Sequence, residues 1–173
     1  MKRAPASLLG GLLTLALLLS PSPRASSALP AAPSAKWEAY LPVLQDPDRG
    51  QYSINTRTIQ RRGEVFFFQY RNVISPAFRN RALSAVKPTA SPAERKERLR
   101  LRRWAYSIVS LYYNAAERTA RPAVSATYSR TDELLTRQAH DQPFTPVSQS
   151  PTISALCSAL MDYVAGHPVP EAR

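Results

Sequence analysis

Two histidines (His140 and His167), one cysteine (Cys157) and 12 carboxylates are the side chains here that can move protons, attack a carbonyl or hold a metal. A thiol nucleophile needs a base beside it. Nothing in the spacing ties either histidine to Cys157, so a small, buried core cysteine is the better reading. A single cysteine also forbids an intrachain disulfide. Two histidines 27 positions apart and one cysteine make no zinc-type ligand spacing. The carboxylates pair only in ordinary settings. Asp46 and Asp48 lie in a Pro/Gly turn. Glu94 and Glu97 lie among Arg95, Lys96 and Arg98. Asp132 stands beside Glu133, and Asp141 follows His140 in a loop before Pro143. No G-x-S-x-G elbow is present, and five glycines supply no phosphate loop. The expectation is a protein without catalytic residues, cofactor or metal.

Basic groups are the stronger signal. The chain carries 23 Lys+Arg against 12 Asp+Glu, a formal net charge of +11. Six of the basic residues (Arg95, Lys96, Arg98, Arg100, Arg102 and Arg103) crowd into "ERKERLRLRR", with Arg81 upstream. Guanidinium forks hold sulfate, phosphate or carboxylate bidentately. Charge runs are more often simply solvated faces. Leu99 and Leu101 do not share a helix face, which argues against an amphipathic membrane helix. These six are the candidate binding residues, and the partner they suit is a protein or an anionic surface of polysaccharide or lipid head groups. Nucleic acid is the least expected partner for a secreted chain.

Export is read from the first 28 residues. Met1-Lys2-Arg3 is a basic start, "LLGGLLTLALLLS" is an uncharged apolar core of 13 residues, and Ser26 and Ala28 are small residues placed for cleavage. The core is short for a membrane span of roughly 20 residues. Residues 1–28 are therefore expected to be a signal peptide and 29–36 a flexible leader. One domain over 37–165 and a flexible tail over 166–173 complete the expected organisation, placing the mature chain in the periplasm, at the cell surface or outside the cell.

The elements that would position these groups follow from pattern. "WEAYLPVL" reads as a strand that Pro42 confines to an edge, and "QDPDRG" as a turn. "YSINTRTIQ", "RRG" and "EVFFFQYRNV" read as a hairpin with a three-residue loop, with Phe66, Phe67 and Phe68 covering the core from a central strand. Residues 75–92, with three prolines, read as a loop. Ser91, Pro92 and Glu94 make a capping box, and the charges that follow make Ser91–Arg103 either a short solvated helix or an arm, joined directly to a strand over Trp104–Asn114. Pro122–Arg130 reads as a further strand. Ile153, Leu156, Cys157, Leu160, Met161 and Val164 form one apolar face of a last helix, capped by Ser150 with Pro151 at its first position.

The pattern Tyr52, Ile54, Asn55, Thr58, Ile59, Arg61, Gly63 and Val65, after a tryptophan near the mature start, resembles the bacterial surface-adhesin protein E family. So do "SLYYNAAERTARPAVSATYS" and the "FTPVSQSP" lead into the last helix. The resemblance implies an α+β fold, an antiparallel sheet of about six strands with a C-terminal helix packed on it. It also implies a secreted or surface interaction protein of the adhesin type. An envelope accessory protein using its Arg-rich segment on anionic lipid or polysaccharide is the alternative. Asn114-Ala115 stands where the family usually carries a cysteine, and the family's helix cysteine would fall near Leu160 or Met161. The family's sheet-to-helix disulfide is therefore absent, leaving apolar packing to hold the helix.

Overall fold

The computed structural model describes residues 39–86 and 91–172. The expected signal peptide, the leader and Trp37 lie outside the described residues. The fold is α+β: among the described residues, an antiparallel sheet with three helices, one of them following all the strands. In order come β1 (Tyr40–Asp46), β2 (Gly50–Arg62), β3 (Val65–Ile74), α1 (Pro76–Ala85), α2 (Pro92–Arg103), β4 (Tyr106–Asn114), β5 (Thr119–Tyr128), β6 (Leu134–Ala139), the two-residue β7 (Thr145–Pro146) and α3 (Pro151–Gly166). Strands β1 to β6 lie side by side in chain order, and β7 pairs with β5.

Turn chemistry sets the first hairpins. Asp46 Oδ1 accepts from the backbone N–H groups of Asp48 (2.8 Å) and Arg49 (3.1 Å), closing the β1–β2 turn. Gly50 follows at φ 125, where an added Cβ would meet Val73 O at 1.8 Å, so only glycine fits. Pro42 does sit on the edge strand, where its pairing slips. The β2–β3 loop is tighter than expected. Arg62 pairs with Val65, leaving two residues, Gly63 (φ 59) and Glu64. Farther along, Asn55 opposes Gln69 while Gln60 opposes Phe67, so Thr56–Ile59 form a wide bulge. Its polar side chains close it: Thr58 Oγ1 donates to Asn55 O at 2.9 Å and accepts from Gln69 N–H at 3.0 Å.

Three helices begin with the same device. Ser75, Ser91 and Ser150 each accept from the N–H three residues on, and each precedes a proline. The first corrects the expectation of a loop over 75–92, because Pro76–Ala85 are helical. The second keeps Arg95 to Arg103 wholly helical, so their spacing is helical up to the start of β4. Ile54, Phe68, Leu111, Leu156, Cys157 and Leu160 form the main core between α3 and one sheet face. Burial pushes the Cys157 thiol up to about 12. A second cluster of Ile74, Val86, Leu101 and Trp104 lies under α1 and α2. Ile74 is on the same side of β3 as Phe66 and Phe68, so the helices' buried residues pack on one face of the sheet. Phe67 points to the other face and is only half-buried, which corrects its assignment to the core. The expected tail returns along β2, where Arg61 N–H donates to Pro170 O at 3.0 Å and Ala172 N–H to Arg61 O at 2.8 Å. Among the described residues no helix is long and apolar enough to cross a membrane.

Candidate functional site

The six basic residues of α2 divide by helical position. Glu94, Arg98 and Leu101, at i, i+4 and i+7, turn inward. Leu101 is buried, and Arg98 donates to Leu83 O (2.9 Å) and Val86 O (2.8 Å), satisfying carbonyls at the end of α1. Arg100 pairs with Glu97 and lies over the Trp104 ring. Arg103 pairs with Glu133. Arg95, Lys96 and Arg102 are exposed, and Arg95 and Arg102 share a stripe with Leu99, which is 59% exposed. Arg81 reaches back to Asp48, donating to its backbone oxygen at 2.9 Å. The structure thus presents Arg95, Lys96 and Arg102 to solvent and uses Arg98 and Arg100 in packing.

The face of the sheet away from the helices carries two aromatic and guanidinium rows that pattern reading missed. In one, Phe67 packs on Tyr112 at 5.3 Å, and Arg121 lies 5.1 Å from the Tyr112 and Phe144 rings alike. These side chains are half-buried, and Phe144 is exposed. In the other, Arg71 lies 4.8 Å over Tyr40, Tyr106 stacks on Tyr128 at 5.0 Å, and the Tyr106 hydroxyl donates to Asp132 Oδ1 at 2.6 Å. Burial and its tie to Asp132 hold the Tyr106 phenol well above its ordinary range, and burial lowers Arg71. Cross-strand register makes these rows: Arg71 opposes Ile108, Tyr112 opposes Arg121, and Tyr106 opposes Tyr128. The alternate residues Val65, Phe67, Gln69, Arg71 and Val73 of β3 are the ones on this face.

On the helix side, β4 to β6 extend past α3 and leave a cleft of about 170 Å³ between the α1–α2 pair and the start of α3. His140 lines it and was expected in a surface loop. It does lie in the connection that follows β6, half-buried, with its ring paired to Ser125 Oγ at 2.8 Å rather than to Asp141. Burial lowers its pKa, favouring neutral imidazole. No group of three or more His, Cys, Asp or Glu side chains that could hold a metal ion occurs among the described residues.

No family model and no curated protein matches this sequence. Among solved structures, the chain is similar to crystal form II of Haemophilus influenzae protein E, with 13% identity over 80% of this chain and 99% of that one, at a TM-score of 0.47. It is similar at 13% identity to protein E from non-typeable Haemophilus influenzae, covering 82% and 86% with a TM-score of 0.46. The selenomethionine form of that protein gives 15%, 83% and 97%, and 0.45. No family membership follows from likeness at this level.

Proposed function

We propose that this chain is a secreted or cell-surface interaction protein, of the adhesin type, that binds a macromolecular partner and performs no chemistry on it. The observation that carries this reading is the open sheet face, where Phe67, Tyr112, Arg121 and Phe144 follow one another in contact, partly in solvent. Aromatic rings and arginine are the side chains that dominate binding hot spots. They bring large contact area at small entropic cost. The four residues sit on strands and on the connection to β7, so their spacing is held by the sheet. The resemblance of the first hairpin and the helix lead to the surface-adhesin protein E family supports a protein partner in the extracellular matrix. A second reading uses the exposed Arg95, Lys96 and Arg102 of α2 on sulfated polysaccharide or anionic lipid.

Surface plasmon resonance separates the two. The full chain is passed over immobilised matrix proteins and over heparin. Paired Tyr112→Ala and Arg121→Ala should weaken matrix binding at least tenfold, with little change on heparin. Arg95, Lys96 and Arg102 to Gln should do the reverse, and more strongly at low salt, because exposed charges are screened beyond about 10 Å at 0.1 M. Undiminished matrix binding by the sheet variant would overturn the proposal.

A further inference from the structure

Several arginines of this chain already have a counterpart. Arg61, Arg81, Arg100 and Arg103 pair with carboxylates, and Arg79 and Arg98 donate to backbone carbonyls. Arg121 differs. Among the described residues it makes no hydrogen bond or ion pair. Its Nε is closed to solvent, whereas its two terminal nitrogens, also without a partner there, are not closed in. Register fixes what surrounds it. Tyr112 stands opposite on β4, and Phe144 lies on the other side of β5, one position before the pairing of Thr145 with Ala120. Both ring centroids are 5.1 Å from the guanidinium carbon. Arg121 is therefore a half-buried cation flanked by two rings, with the end of its fork facing out. A charge that has lost part of its water gains most from an ion brought to its open side.

The sheet itself supplies no such ion. Strands β2 to β6 contain no Asp or Glu. Asp132, in the turn after β5, is held by the Tyr106 hydroxyl. The cross-strand row of Arg71, Ile108, Ala126 and Arg137 places two further arginines on the same face.

We propose that Arg121 receives a carboxylate of the protein partner, so that the sheet face recognises an acidic segment with aromatic or aliphatic neighbours. This rests on that face being the docking surface. Charge complementarity selects an anion, and shape selects among anions. A carboxylate is planar and meets two terminal nitrogens in the plane of the guanidinium. Sulfate and phosphate are tetrahedral and bring further charged oxygens toward the electron-rich faces of Tyr112 and Phe144. The residues beside the acid then lie on Phe144 and on the Phe67–Tyr112 pair.

The test uses the full chain labelled with nitrogen-15 in about 0.15 M NaCl, where distant charges are screened. It follows the Arg121 Nε–H resonance and the backbone amides of β4 and β5. The probes are a blocked Tyr-Glu-Tyr peptide, its Tyr-Gln-Tyr twin and a heparin octasaccharide. The Glu peptide should give saturable shifts and bind at least about tenfold tighter than the Gln twin, the scale of a charge-assisted pair. The octasaccharide should move the Arg121 resonance less than the Glu peptide does. Arg121→Lys keeps the net charge but loses the planar fork, and should cut the preference at least about threefold. Arg121→Gln should erase it. Equal binding of the two peptides by the unaltered chain would overturn the proposal, and that comparison needs no variant to fold. So would the absence of saturable shifts, a larger shift from the octasaccharide, or a preference undiminished in either variant. No matrix protein enters this titration, so the two proposals fail separately. Peptides that bind alike, with matrix binding still lost in the paired Tyr112→Ala and Arg121→Ala variant, would remove the carboxylate and leave the docking surface standing.

Discussion

At the scale of single residues, the six cations of "ERKERLRLRR" look equivalent in sequence and are not equivalent in the fold. Leu101 is the buried member of α2, and Arg98, one turn earlier on its side, is drawn to the end of α1 with it. The clue was present, because the helical position of the inward leucine dictates which arginines follow it. What composition could not supply was the existence of α1, whose carbonyls Arg98 satisfies. Arg98→Gln should therefore destabilise the protein by about 1–3 kcal/mol, the cost of removing a charged donor and leaving carbonyls unpaired. Changing Arg95, Lys96 and Arg102 together to Gln should stay within about 0.5 kcal/mol, as exposed substitutions do. Urea denaturation of both variants measures the difference. Equal midpoints would remove Arg98 from its structural role.

At the scale of elements, the hairpin, the edge position of Pro42, the capped α2 and most of the apolar face of α3 could be read from the chain, since each rests on local chemistry. Met161, expected on that face, is exposed. Two readings failed for physical reasons. Three consecutive phenylalanines masked the two-residue period of β3, and the buried Asn72 on the core half blurred the polar alternation that Gln69 and Arg71 would otherwise have shown. In α1, Ser75-Pro76 is the same start signal as Ser91-Pro92 and Ser150-Pro151. That helix lacks a first-turn acid and a buried residue of its own, so nothing after the cap announced it. Phe68 is fully buried, and Phe68→Ala should cost about 3–5 kcal/mol, as a core aromatic truncation does. Phe67→Ala loses the Tyr112 contact on a half-open face and should cost about 1–2 kcal/mol. Thermal unfolding of the pair decides the sidedness of β3, and a larger loss for Phe67 would reverse it.

At the scale of the whole molecule, a formal net charge of +11 works against compaction, because like charges repel through the folded shape. The ion pairs of Arg81 and Arg103 are half-exposed and contribute little in water. Raising NaCl from about 20 mM to about 300 mM, which shortens the screening length well below the molecular diameter, should raise the melting temperature by a few degrees. A melting temperature that falls with salt would show that attractive pairs outweigh the repulsion. The strand order was not legible in the sequence, because pairing depends on contacts between distant segments. Its simplicity has a consequence for how the chain assembles in time. Each strand from β2 to β6 pairs with the strand before it in the chain, so the sheet can zip in the order of synthesis, with one long closure where α1 and α2 separate β3 from β4. The helix that covers Ile54, Phe68 and Leu111 follows the whole sheet in the chain, and it closes against β1 and β2, which begin that sheet. Until residues 151–166 arrive, a finished sheet stands with its greasiest side bare. The nascent chain is therefore most in need of a chaperone's shelter between completion of the sheet and arrival of that helix, and truncation at its start should leave an aggregating sheet rather than a smaller folded protein.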